Sequence, residues 1–326
     1  MNIVRYRTGG SARPLIGLHD EEGGVAELVG VTSLAELWAG PVAELRARLA
    51  AGPLGERVPL AEVELLAPVD ARTEVWAAGV TYETSREARV EESARAASVY
   101  DLVYDAERPE LFFKSAGWRV VGPGGLVRIR ADSTVDVPEP ELALVVNRLG
   151  EIAGFTVCND MSSRSIEGEN PLYLPQAKIY FGACGLGPWI TPAWEVDDPY
   201  ALTIEMAIHR DGVRVWHGRA STARLRRRLD DLVAYLMRGD VHPDGVVLST
   251  GTCLVPPWPF TLATGDVVEI GVGGVGVLRN TVVRGMPGEK DEASEPSATN
   301  EPGEPGEPVT SGEVDEPDSF EETPLR

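Results

Sequence analysis

From residue 69 to about residue 285, glycine and proline recur too often for long helices, and the runs between them are strand-like. The whole chain holds 35 glycines and 25 prolines in 326 residues. Apolar runs over residues 120–129, 141–146, 152–159, 202–209 and 267–272 are rich in β-branched side chains, which pack well on a pleated surface. Turns about every ten residues therefore argue for a large mixed or antiparallel β-fold with few helices. Residues 1–68 read as a small N-terminal α+β domain. It has short strands over 2–6, 14–18 and 25–29, then helical stretches around 33–38 and 41–51. Residues 286–326 repeat Glu-Pro-Gly with almost no aromatics, a composition that cannot offset the entropy of ordering, so a disordered acidic tail is expected.

Charge narrows the partners. The net charge is −21; residues 286–326 contribute −11 from 13 acids and two bases, leaving −10 for the rest. The one basic cluster, Arg226-Arg227-Arg228, falls in a helical pattern over 222–237, with Leu225, Leu229, Leu232 and Leu236 at helical spacing and Ser221 as a cap. It reads as a solvated helix face, so no nucleic-acid partner is expected. No run approaches eighteen apolar residues, and no apolar segment follows the first residues, so neither a membrane span nor a signal peptide is expected. Three scattered cysteines, Cys158, Cys184 and Cys253, suit a reducing, cytoplasmic setting. Gly271-Val272-Gly273-Gly274-Val275-Gly276 mimics a dinucleotide-binding loop, but it lies between strand-like runs and lacks an acid about 20 positions on, so it reads as a bend.

Lysine usage points to a site. Against 27 arginines there are three lysines, Lys114, Lys178 and, in the tail, Lys290. Arginine stays charged at any working pH, whereas lysine is a compact charge that surroundings can tune. In Val137-Pro138-Glu139-Pro140-Glu141-Leu142, Glu139 and Glu141 would project from one face of a strand. Adjacent carboxylates repel unless a cation or shared proton lies between them. The strand-like run 152–158 ends at Asn159-Asp160, adding a third acid. With no histidine or cysteine beside them, three such oxygens suit Mg²⁺, Mn²⁺ or Ca²⁺; ordinary acids on a solvated strand edge are the alternative. Lys178 follows Asp160 by 18 residues, and beside a divalent cation it could hold an enolate oxygen or accept a proton. Lys114, after Leu111-Phe112-Phe113, could orient a substrate carboxylate or pair with a buried acid.

Several segments together resemble the fumarylacetoacetate hydrolase family. They are Gly79-x-x-Tyr82, Glu139-x-Glu141, Gly154-Phe155-Thr156-x-x-Asn159-Asp160-Met161-Ser162-Ser163-Arg164, Gln176-Ala177-Lys178, Leu186-Gly187-Pro188-Trp189 and Ser249-Thr250-Gly251-Thr252. Glu91-Glu92-Ser93, Arg108-Pro109-Glu110-Leu111-Phe112-Phe113-Lys114 and the stretch 166–176 look like its 2-keto-3-deoxy-D-arabinonate dehydratase branch. The resemblance implies a mixed β-roll catalytic domain over 69–285 and one Mg²⁺, with Mn²⁺ as a substitute, on Glu139, Glu141 and Asp160. Lys178 would meet the keto or enolate oxygen, Thr252 a carboxylate or hydroxyl, and Thr81 and Tyr82 the pocket wall; a homodimer or homotetramer is expected.

The reaction so implied is loss of water from a 2-keto-3-deoxy sugar acid to give 2,5-dioxopentanoate, with Glu92 or Glu169 as the acid. Hydrolytic relatives place a water-activating histidine just after Gly-x-x-Tyr; here that stretch is Glu83-Thr84-Ser85-Arg86-Glu87-Ala88-Arg89, whose arginines could clamp a carboxylate. An acylpyruvate-type hydrolase or a 2-keto acid decarboxylase using the same acids is the alternative. A non-catalytic metal-binding scaffold acting through its tail is the bland one.

Overall fold

The computed structural model describes residues 1–9, 13–20, 23–52, 54–84 and 102–288. The N-terminal part contributes strands β1 (Asn2–Thr8), β2 (Leu15–His19) and β3 (Gly24–Leu28), helix α1 (Val42–Ala51), and strands β4 (Leu54–Pro59) and β5 (Val63–Leu65). Then come β6 (Glu74–Gly79), β7 (Glu110–Ala116), β8 (Leu126–Ile129), β9 (Asp136–Val146) and β10 (Ile152–Ser163). Two short helices, α2 (Arg164–Glu169) and α3 (Leu174–Lys178), lead into β11 (Cys184–Pro192), β12 (Thr203–Arg210) and β13 (Val213–Ser221). Helix α4 (Leu229–Leu236) precedes β14 (Val246–Ser249), β15 (Val267–Val272) and β16 (Gly276–Arg284).

The strands form one eleven-stranded and one five-stranded sheet, ordered β4-β3-β2-β1-β11-β10-β9-β14-β6-β7, with β5 also on β1, and β13-β12-β15-β16-β8. Pairing is mixed: β14 runs parallel to β6 and β16 parallel to β8, amid antiparallel neighbours. The fold is the α+β, sheet-rich arrangement expected. The strands of residues 1–68 join the large sheet directly, through β1 against β11.

β9 explains why the molecule is built around its centre. All eleven of its residues are buried, and alternation sends successive side chains to two cores. Leu142, Leu144 and Val146 meet Ile204, Met206, Ile208, Val268 and Ile270 of the small sheet. Ala143 and Val145 face a second core with Leu45, Leu49 and Trp38 from the N-terminal part. Each such large side chain contributes ~1.5–3 kcal/mol relative to exposure. Pro138 and Pro140 fit because residues two apart direct their backbone nitrogens to one side, and that side faces away from β10, beyond the reach of β14, which pairs only 143–146.

Three expectations are corrected. The stretch 33–38 holds only a 3₁₀ turn, Leu34–Glu36. The strand expected over 120–129 is reduced to β8, since Gly124 takes a φ of 73° and turns the chain just before it. The helix expected over 222–237 is α4 alone, preceded by a 3₁₀ turn that Ser221 caps. Arg226-Arg227-Arg228 therefore precedes the helix: the Arg226 amide donates to Thr81 O, and the Arg227 guanidinium donates to the carbonyls of Val103, Ala106 and Glu107. Acceptors on another segment outweigh local helical preference. Gly273, Gly274 and Val275 form the tip of the β15–β16 hairpin, as the bend reading required. Among the described residues no helix is long and apolar enough to cross a membrane. The acidic tail from residue 289 onward, Glu92, Arg86 and Arg89 lie outside the described residues.

Candidate active site

At one end of β9 the face that packs on the N-terminal part turns acidic. The β9–β10 register sets Asp160 opposite Glu139 and Cys158 opposite Glu141, so alternation alone gathers the three carboxylates on one face. One oxygen from each lies within 4.8 Å of the others, and all three side chains are buried. The segment after β14 completes the cradle. Glu141 Oε2 accepts from Ser249 Oγ at 2.5 Å and from the Gly251 amide at 2.9 Å. Gly251 has a φ of +92°, and a Cβ there would stand 2.0 Å from Thr81 Oγ1, so the close approach requires glycine. Val80 has a φ of 51°, a strained conformation for a β-branched residue, and it lines the site.

Two amines answer the three acids. Lys178 Nζ donates to Glu139 Oε2 at 2.5 Å, Asp160 Oδ2 at 3.1 Å and Ser162 Oγ at 2.6 Å. Lys114 Nζ donates to Met161 O at 3.0 Å and Lys178 O at 2.6 Å, and ion-pairs with Asp160 Oδ1. Burial pushes the Asp160 carboxyl up, but Lys114 and then Lys178 outweigh it and hold the group below its ordinary range. Glu141 goes the other way: burial first, then the negative charges of Asp160 and Glu139, push it up. A set of hard oxygens in which one carboxyl is raised by its neighbours' charge fits a hard divalent cation, which removes that repulsion.

A cleft partly open to solvent, about 360 Å³ counting its open side, lies over these groups and is lined by Glu139, Glu141, Asp160, Lys178, Thr252 and Val80, with Glu110, Glu167, Phe112 and Leu174 around them. The structure thus brings together the acidic trio, Lys178 and Thr252. Thr81 and Tyr82 are buried but lie outside the lining, the Thr81 hydroxyl donating to Thr250 O at 2.6 Å. Lys114 is likewise behind the wall. Glu169 is exposed at the last position of α2, whereas Glu167, on the opposite side of that helix, faces the cavity. The structure does not bring Glu169 to the cavity and brings Glu167 instead, because two residues on a helix are about 200° apart.

Glu110, Glu167, Ser162 and Ser249 were not singled out in the sequence. Ser162 was legible as the same-face neighbour of Asp160 two positions on; Glu167 needed the start of α2. None of the four histidines lines the cavity.

A model of the fumarylacetoacetate (FAA) hydrolase C-terminal region matches residues 74–283. The chain belongs to the fumarylacetoacetate hydrolase family. It is 51% identical over 215 residues to a probable 2-keto-3-deoxyxylonate dehydratase of Haloferax volcanii, covering 66% of this chain and 73% of that one. It is 42% identical over 220 residues to a 2-dehydro-3-deoxy-D-arabinonate dehydratase of Saccharolobus solfataricus, covering 67% and 74%. Among solved structures of the family, a 2-keto-3-deoxy-D-arabinonate dehydratase complexed with magnesium and 2,5-dioxopentanoate superposes with a TM-score of 0.73 at 33% identity, over 87% of this chain and 99% of that one.

Proposed function

We propose that this protein is a hydro-lyase that converts a 2-keto-3-deoxypentonate into 2,5-dioxopentanoate and water, with Mg²⁺, or Mn²⁺ in its place, held by Glu139, Glu141 and Asp160. One observation carries the reading: three buried carboxylates and a lysine amine converge on one cavity in a chain 51% and 42% identical to two dehydratases of such acids. The two relatives' names describe closely related substrates. A 2-keto group and a 3-deoxy carbon leave C4 as the one stereocentre, so arabinonate and xylonate of the same series give the same molecule.

The bound cation supplies Lewis acidity that makes the C3 proton of a 2-keto acid easier to remove. The remaining steps fall to the chain's own groups. Lys178, ion-paired with Glu139 and Asp160, is a donor and holds the enolate oxygen. It is thereby the enolate stabiliser, and the base lies elsewhere. Glu110 and Glu167 are the lining carboxylates outside the trio; between them they take the C3 proton and return one to the C4 hydroxyl as it leaves. The resulting C3=C4 double bond shifts to C4=C5 by moving one C5 proton to C3, and the enol at C5 becomes the aldehyde. Thr252, at the cavity wall, is placed to meet a substrate oxygen, and Phe112 and Leu174 exclude water.

Assembly as two or four copies, a cytoplasmic location and a domain boundary near residue 69 belong to the same proposal and rest on the resemblance and composition alone. Carbon–carbon hydrolysis and decarboxylation are the outcomes to separate. Incubation with 2-keto-3-deoxy-D-pentonate, with and without chelator, is expected to yield an aldehyde with loss of one water and only when metal is present. Two-carbon-chain fragments, released CO₂ or chelator-resistant turnover would overturn the reading.

A further inference from the structure

On β7 Glu110 and Phe112 share a face by alternation, and Lys114 follows at a bulge, where the register against β6 shifts between Phe113 and Ser115. The first two line the cavity; the third stands behind its floor, 1% exposed. A buried ammonium has three hydrogens to satisfy and no tolerance for a missing partner. Lys114 Nζ donates to Met161 O and Lys178 O and ion-pairs with Asp160 Oδ1, all of them protein oxygens. Lys178 lines the cavity and Lys114 does not, so a bound ligand meets the first amine and not the second. The three acceptors lie on two elements that meet at the site: β10, which carries Asp160, and the last residue of α3, which is Lys178 itself.

We propose that Lys114 is a positioning residue that clamps Asp160 and the backbone of Lys178 together, so that the Asp160 carboxylate and the Lys178 amine both keep their places in the cavity lining. The inference rests on the metal-dependent reading above. Asp160 Oδ2 lies 3.1 Å from Lys178 Nζ, so one carboxylate is held from behind by one lysine and shared in front with the other. Without the clamp, Asp160 can rotate, and the carbonyl ending α3 loses the donor that fixes where Lys178 starts.

The test is Mn²⁺ binding to the full chain, followed by electron paramagnetic resonance, in wild type, Lys114→Met, Asp160→Asn and the double variant. Lys114→Met is expected to weaken Mn²⁺ binding ~10–100-fold, the usual effect of removing a partner that orients a metal ligand. At saturating Mn²⁺ it is expected to lower kcat with KM for the keto acid unchanged within about twofold. Added to Asp160→Asn it should weaken Mn²⁺ binding no further, because its effect passes through that carboxylate. A raised KM with unchanged Mn²⁺ affinity would make Lys114 a substrate contact and overturn the proposal; additive losses in the double variant would do the same. If Lys114→Met does not fold, the comparison of the double variant with Asp160→Asn decides alone, and a double variant that fails where Asp160→Asn folds also counts against it. Absence of Mn²⁺ binding by the wild type would sink the metal reading itself, a separate result.

Discussion

At the scale of single residues, the site is a balance of buried charges. Glu141 is crowded by two other carboxylates, and two donors hold its Oε2. Glu141→Gln keeps the shape and removes the charge. It is expected to weaken Mg²⁺ binding and lower kcat by more than about 100-fold, beyond the range of outer partners; calorimetric titration and turnover measure both. Burial and the neighbouring charges push the Glu141 carboxyl up, so Mg²⁺ affinity is expected to rise with pH, read by the same titration at two pH values.

Asp136 is a different case, away from the carboxylate trio. It is fully buried at the start of β9, with Arg284 4.0 Å away, and burial pushes its carboxyl up to about 6, against the partial opposition of Ser133 and Arg284. The folded protein therefore holds this proton more tightly than the unfolded chain. Stability is fully present below pH 4, falls as pH rises towards 6, and stays lower above it. The loss is on the order of 3 kcal/mol, two units at 1.36 kcal/mol each. Asp136→Asn should match wild type at pH 4 and exceed it at pH 8 by ~2–3 kcal/mol in urea unfolding. Equal midpoints at pH 8 would show that Arg284 neutralises the group.

At the scale of elements, the segment after β14 converts backbone shape into chemistry. Gly251 turns the chain so that its amide reaches Glu141, with the Thr81 hydroxyl packed where a Cβ would sit. Gly251→Ala meets both an unfavourable φ and a 2.0 Å contact. It is expected to cost about 1–3 kcal/mol or more in denaturant unfolding and to lower turnover further than stability alone explains, since the Glu141 cradle moves. A stable, fully active alanine variant would mean that the segment relaxes freely. Strand elements were legible because valine-rich alternation survives any neighbour. The Arg226-Arg227-Arg228 region was not, because its acceptors, Thr81 and the carbonyls of 103–107, are supplied from more than a hundred residues away.

At the scale of the whole molecule, every group named in the site lies between Gly79 and Thr252. Truncation after Gly288 is therefore expected to leave kcat/KM within about twofold, read by turnover; loss of activity would assign the acidic segment a part in catalysis. The sheet order shows why the site sits where it does. β9 is flanked by β10 and β14, so Asp160 arrives from one side and Ser249 and Gly251 from the other, while Lys178 comes from α3, at the end of the chain segment that follows β10.

The sequence by itself determined the sheet-rich class, the Glu139, Glu141, Asp160 and Lys178 set and the family, because alternation, residue chemistry and motif spacing are local properties. Tertiary structure alone decided which glutamate of 164–169 faces the cavity, and that the Lys114 amine is spent on Asp160, Met161 and Lys178. Both depend on what stands across the space from a side chain, and a chain read one residue after another carries no record of that distance.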